Sequence, residues 1–335
     1  MLWQDITIAG TGAWIPPIRP EHVPWEKPVS GQPSMAALNG FTSAAVSTDH
    51  TAAQMAARAG LKALRHADVT GADVGLLVHA NFQDEDHYTP APYLVRVLGG
   101  PDTTGIELGA ASDGGAAALV TAAGHLTARP DAKAALVTAG ARFPDKRWGH
   151  VRETGYVAGD AGAAAVLTRG TGFARLVATA QAMEPQLEVL TRAREGRAGV
   201  GLIEETGLMP HIDALQRSTR RCVETVLDES GVKPADISHV VAIAIGSVVL
   251  DLVLSGSSLS LRSDDTSWTF GRHLGHAGPS DVLLALDQAF RSGTLRAGER
   301  VLVVSFGLGF RWTTALLEIT RDPVAAPSAG RSTTE

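Results

Sequence analysis

The sequence predicts an α/β protein built as two similar halves, a layered α/β/α/β/α sandwich with a pseudo-twofold axis. The first observation behind this is an internal repeat. Leu64, Val69, Ala72, Asp73 and Val74 are answered by Leu227, Val232, Ala235, Asp236 and Ile237 at a constant spacing of 163 residues. The second is the order of elements around each copy: amphipathic helix, buried strand, small-residue helix, second buried strand. Strands alternating with helices give parallel sheet covered on both faces. The third is composition, since 44% of the 335 residues are hydrophobic but only 5% are aromatic. That favours closely packed helices and strands over an aromatic-lined core. Two unrelated α/β domains sharing one helix-loop-strand phrase would satisfy the first observation alone.

Along the chain, Ile6-Thr7-Ile8 reads as a strand, and Pro16 to Gly40, with six prolines, reads as a long loop. Ala52 to Leu64 carries Ala56, Ala59, Leu61 and Leu64 at helical spacing, and its later counterpart carries Ile212, Leu215, Thr219, Cys222 and Val226. The strands that follow are Val74–Val78 and His239–Ile245. Small-residue helices start at Asp113 and Pro279, and the second buried strands are Ala134–Thr138 and Arg300–Val304. The expected organisation is a first half over 1–170, a connecting excursion or lid over 171–210 that is richest in charge and glycine from Gln181 to Pro210, a second half over 211–320, and a disordered tail over 321–335.

A net charge of −6 and a pI near 6.0 argue against a nucleic-acid partner, whose footprint on a protein is basic. The single cysteine, Cys222, excludes an internal disulfide and sits on the apolar stripe of its helix, where a core role is expected. The start of the chain lacks the basic and apolar segments of a signal peptide, and Val240–Leu254 is too short to span a bilayer. A soluble, cytoplasmic protein that does not engage membranes is expected. No Cys/His cluster has metal-ligand spacing, so neither a metal nor another cofactor is expected.

The chemistry concentrates at Gly105-Ile106-Glu107-Leu108-Gly109-Ala110-Ala111-Ser112-Asp113-Gly114-Gly115, where a strand runs into a helix of very small residues. Ser112 at that junction faces the positive end of the helix dipole and free N–H groups, which favour developing negative charge. A plain helix-capping serine fits the same position.

Four phrases in order give this sequence a resemblance to the ketoacyl-acyl-carrier-protein synthase III family of thiolase-fold enzymes along nearly its whole length. Ala110-Ala111-Ser112-Asp113-Gly114 resembles that family's Ala-Ala-Cys-x-Gly phrase, with serine in the place of the nucleophilic cysteine. Gly159-Asp160-Ala161-Gly162-Ala163-Ala164-Ala165-Val166-Leu167, Leu295-Arg296-Ala297-Gly298-Glu299-Arg300-Val301-Leu302 and Phe306-Gly307-Leu308-Gly309-Phe310-Arg311-Trp312 match three further family phrases. The resemblance implies a duplicated five-layer thiolase fold. It also implies a homodimer, with the strand near Ala134–Thr138 pairing across the interface. Thr89, in the Asp86–Pro92 loop, would then line the partner's acyl pocket. By the same resemblance the oxyanion hole is the backbone N–H pair of Ser112 and Leu308, and the acyl donor is an acyl carrier protein or coenzyme A thioester. The loop carries leucine at 308 where the family has glycine.

Two departures alter the chemistry. The family's catalytic histidine falls where this chain reads Ile243-Ala244-Ile245-Gly246, and its catalytic asparagine falls at His276 in Gly275-His276-Ala277-Gly278-Pro279-Ser280-Asp281. That loss argues against ordinary decarboxylative condensation. Ser112, His276 and Asp281 instead make a candidate nucleophile, base and orienter. His273 is the rival base, and a helix-stabilising Asp281 the simpler alternative. The constellation resembles the divergent acyltransferase and starter-unit branch of antibiotic and polyketide pathways, which moves acyl groups to hydroxyl, amine or carrier-protein acceptors. A starter-unit condensing enzyme and a catalytically silent partner subunit remain open beside it. Arg217, Arg220 and Arg221 form a candidate docking patch for carrier protein or coenzyme A, with Lys146, Arg147 and Arg152 as the alternative.

Overall fold

The computed structural model describes residues 1–20, 35–82, 84, 86–143, 157–170, 172–191 and 209–322. The main elements of the first half are β1 (Ile6–Trp14), α1 (Ala52–Ala67), β2 (Val74–Asn81), α2 (Ala91–Leu98), β3 (Thr104–Leu108), α3 (Gly114–Ala128), β4 (Ala134–Ala141) and β5 (Ala161–Arg169). The second half supplies β6 (Ala174–Met183), α4 (Ile212–Ser230), β7 (His239–Ala242), α5 (Ser247–Ser255), α6 (Asp281–Arg291), β8 (Arg300–Gly307) and β9 (Arg311–Ile319).

Hydrogen bonding orders the strands β3-β2-β4-β5-β1-β6-β9-β8-β7. The first five and last four form two sheets joined at one edge, because β1 meets β6 only at Thr7–Arg175 and Ile8–Ala174. Each half has the same order, and an isolated parallel bridge from Val240 to Thr266 stands where β3 stands in the first. Helix α1 covers the outside of the first sheet and α4 the outside of the second, while α3 and α6 lie between the sheets and touch both. This is the duplicated five-layer sandwich of a thiolase fold.

The repeated phrase has a structural reason. Helices α1 and α4 both end in a left-handed residue, Asp68 (φ 54°) and Gly231 (φ 67°), at the same repeat position. A left-handed cap satisfies terminal carbonyls that the helix cannot. A 3₁₀ turn follows in each, and Asp73 and Asp236 accept the backbone N–H of Thr70 and Lys233 before the next strand begins.

Two sequence expectations need correction. The excursion expected over 171–210 opens with β6, which pairs with β9 from Ala174–Ile319 to Met183–Arg311 and is integral to the second sheet. Its strand character was masked by exposed Gln181 and Met183 at the sheet end. Residues 192–208 of that span, and 323–335 of the tail, lie outside the described residues. The second correction concerns the expected dimer strand. β4 is bonded to β2 on one side and β5 on the other, so Ala134–Thr138 has no free edge. The open edge of the first sheet is β3, where Thr104, Ile106 and Glu107 are exposed.

Candidate active site

Ser112 sits on a sharp turn. After β3, Ala111 takes a left-handed backbone (φ 46°), unusual for a residue with a Cβ, and residues Ala111–Asp113 form a 3₁₀ turn into α3. Strain of this kind persists only where the surroundings hold it. Here Gly114 and Gly115 let the turn close on the second half: a Cβ at Gly115 would lie 2.4 Å from the Pro279 carbonyl oxygen.

His276 precedes a matching turn, Gly278–Ser280, that leads into α6. Its backbone is fixed from the first half, with its N–H donating to the Val157 carbonyl (2.7 Å) and its carbonyl accepting from Gly159 N–H (2.9 Å). Its ring Nε2 stands 2.6 Å from Ser112 Oγ across a separation of 164 residues, one off the repeat spacing. Its Nδ1 stands 2.5 Å from Asp281 Oδ2. Asp281 is buried, and backbone N–H groups of Ala244 (to Oδ2) and Ala277 (to Oδ1) each donate to it at 2.7 Å. A carboxylate so held accepts the Nδ1 proton, which leaves the Nε2 lone pair facing the serine hydroxyl. Ser112, His276 and Asp281 form an unbroken hydrogen-bonded chain, the arrangement a nucleophile, a base and an orienter would require.

The other named residues fall as follows. His273 is exposed, with Nδ1 2.6 Å from Thr42 Oγ1, and is not in the chain. Leu308 lies in the turn between β8 and β9, directly after Gly307, where an added Cβ would lie 3.1 Å from Ser112 N. Among the described residues neither Ser112 N–H nor Leu308 N–H has an intramolecular acceptor, so both are available to an oxyanion. Thr89 is exposed beside α2. Arg217, Arg220 and Arg221 are exposed on α4, and Arg220 Nε donates to the Gly256 carbonyl. Lys146, Arg147 and Arg152 lie outside the described residues. Cys222 is buried in the core, and burial pushes its thiol up to about 12, so it is no nucleophile at neutral pH.

Sequence reasoning missed three contributors. Ala244 and Ala277 act through backbone N–H groups, which no residue type announces. Asp113, read only as a helix start, is fully buried and reaches β9: its Oδ2 accepts from Arg311 Nε (3.0 Å) and Thr313 Oγ1 (2.8 Å). Burial pushes its carboxyl up to about 7 against the pull of Thr313 and Arg311. The signal available was an acidic residue directly after Ser112 in the otherwise uncharged run Gly109–Leu119.

No helix among the described residues is long and apolar enough to cross a membrane. Among the same residues no group of three or more His, Cys, Asp or Glu is placed to hold a metal ion.

Paired helix starts facing each other across two similar halves are the arrangement of a thiolase fold, and comparison with known proteins narrows this. The family described as 3-Oxoacyl-(acyl-carrier-protein) synthase III C terminal matches residues 227–319. The beta-ketoacyl-(acyl-carrier-protein) synthase III of Aquifex aeolicus is 24% identical over 312 residues, 92% of this chain and 98% of that protein. Its counterpart from Xanthomonas campestris pv. campestris is 28% identical over 287 residues, 81% and 85% of the two chains. Among solved structures, the acyltransferase ChlB3 superposes with a TM-score of 0.84 at 29% identity, over 95% of this chain and 99% of that one. OleA of Xanthomonas campestris shares the fold at a TM-score of 0.79 and 17% identity, over 95% and 99%. The chain is thus similar to ketoacyl-acyl-carrier-protein synthase III enzymes over most of its length, and its second half matches that family's C-terminal model.

Proposed function

We propose that this enzyme is an acyltransferase of secondary metabolism that carries its acyl group on Ser112. The observation that carries this reading is the unbroken contact from Ser112 Oγ through His276 to Asp281. An acyl carrier protein or coenzyme A thioester donates. His276 Nε2 takes the Ser112 proton as Oγ attacks the thioester carbonyl, and the Ser112 and Leu308 N–H groups hold the tetrahedral oxygen. The intermediate collapses, the carbon–sulfur bond breaks, and His276 returns the proton to the departing thiolate. A hydroxyl, amine or carrier-bound acceptor then loses its proton to His276 and attacks the Ser112 ester, restoring the free serine. The ChlB3 likeness supports transfer. The absence of histidine at Ile243–Gly246 argues against condensation, since the family's carbon–carbon bond formation relies on it. Antibiotic or polyketide assembly fits this branch.

Intact-protein mass spectrometry against a panel of acyl thioesters tests the reading. A single acyl adduct that an acceptor discharges is expected. Carbon dioxide release from malonyl carrier protein would point to a starter-unit condensing enzyme, and no adduct at all to a silent partner subunit.

Two proposals accompany this. The protein forms a homodimer through β3, placing Thr89 and the exposed Tyr88 toward the partner's pocket. An unpaired flat edge invites pairing, and a charge there blocks it. Ile106→Lys should therefore convert a dimer to a monomer in sedimentation at micromolar concentration, and a wild-type monomer would remove the proposal. Docking of an acidic carrier on a net-negative enzyme needs a local basic patch. Arg217→Glu with Arg221→Glu should raise KM for carrier-bound donor several-fold and flatten its salt dependence. Unchanged KM would move docking elsewhere.

A further inference from the structure

The mechanism above leaves one buried charge unused. Asp113, next to the nucleophile, turns away from the substrate side and into the second sheet. Cross-strand pairing of Ser305 with Thr313, and of Thr313 with Gln181, sets these three side chains in one row beneath it. Thr313 Oγ1 donates to Asp113 Oδ2 (2.8 Å) and accepts from Gln181 Nε2 (3.1 Å). Arg311 Nε adds an ion pair at 3.0 Å. Asp113 Oδ1 and Ser305 Oγ are buried and meet no partner in good hydrogen-bond geometry, although the Ser305 hydroxyl lies near enough to pull the Asp113 carboxyl down.

Arg311 and Thr313 begin the strand that leaves the Leu308 turn, while Asp113 begins the helix that follows Ser112. The two oxyanion N–H groups therefore sit on separate segments from separate halves. Among the described residues the only hydrogen bonds between those segments are the two to Asp113 Oδ2. We propose that Asp113 and Arg311 are positioning residues that clamp the Leu308 turn onto the Ser112 elbow and so set the span of the oxyanion hole. This rests on Ser112 as the acyl carrier. Transition-state donors act only when held at fixed spacing, and about 1 Å of displacement costs about 10²-fold in rate.

The clamp needs its charge. Arg311 from β9 is the cation that faces it. Thr313 from β9, Ser305 from β8 and, through Thr313, Gln181 from β6 are neutral. The Cys222 thiol on α4 is also neutral, and His276 lies on the far side of Ser112. Burial holds Asp113 up to about 7, so falling pH protonates it in the working range and releases Arg311. Because the folded pKa lies above the unfolded one, proton binding stabilises the fold below the ordinary aspartate value of 3.8, and that stabilisation is lost as pH rises through about 7. Above that pH the carboxylate costs stability that a neutral amide of the same shape does not.

The test is therefore Asp113→Asn. Acylation kcat should fall about 10²-fold while donor KM changes little, and the melting temperature at pH 8 should hold or rise. In wild type the acid limb of log rate against pH should include the loss of the Asp113 charge, and Asp113→Asn should make that limb one proton shallower. Arg311→Lys should retain more activity than Arg311→Met. Hydrogen exchange at the 307–311 amides, measured on unacylated protein, should quicken in Asp113→Asn and Arg311→Met. Unchanged exchange with unchanged kcat would overturn the clamp, as would a loss of rate that tracks a loss of melting temperature. Faster exchange in a protein whose wild type takes no acyl group would keep the clamp and remove the acyl-Ser112 reading instead.

Discussion

Ser112→Ala is expected to abolish acyl-enzyme formation, and His276→Ala to slow it by a factor on the order of 10⁶. Asp281→Asn should cost about 10⁴-fold, because an amide in that place favours the wrong imidazole tautomer. The measurement is the single-turnover rate of mass gain on the intact protein. Members of one relay fail together, so His276→Ala combined with Asp281→Asn should be little slower than His276→Ala alone. Fully additive losses would show two independent roles. Asp281 would then be a helix-start residue held by the Ala244 and Ala277 N–H groups, and the 2.5 Å contact to His276 Nδ1 would carry no catalytic weight. Retained acylation in Ser112→Ala would move the acyl group to another side chain.

Where the sequence was legible, a local pattern repeated a physical constraint. Asp68 and Gly231, with the 3₁₀ turns after them, stop equivalent helices in equivalent ways, so the two halves could be matched residue by residue before any contact was known. Ser112 and His276 stood out because each interrupts a run of small residues at a helix start. What the sequence hid is tertiary. A strand buried on both faces, like β4, reads the same whether it is central or pairs with a partner, and only hydrogen-bonded neighbours distinguish these cases. The Asp113–Arg311 pair spans 198 residues and joins different halves, so neither partner signals the other. Backbone donors such as Ala244 carry no chemical mark at all.

Gly115→Ala is expected to lower both stability and acylation, against the usual effect of that exchange inside a helix. Replacing glycine by alanine in a helix interior ordinarily gains roughly 0.5–1 kcal/mol from reduced backbone freedom. At Gly115 the added methyl would lie 2.4 Å from the Pro279 carbonyl oxygen and 3.2 Å from Leu283 Cγ. The first contact is with backbone, which cannot rotate away. Overpacking of this kind costs about 1–3 kcal/mol, enough to outweigh the helical gain. The relief available is to separate α3 from α6, and those two helix starts carry Ser112 and His276. Their 2.6 Å contact should lengthen, so the acylation rate should fall further than lost stability alone explains. Gly124 lies on the same helix with nothing within 4 Å of its would-be Cβ, which makes it the control. Gly124→Ala should raise the melting temperature and leave acylation unchanged. If both variants gain stability and both acylate at the wild-type rate, the close crossing of the two helices at Pro279 is not what sets the distance between the nucleophile and its base.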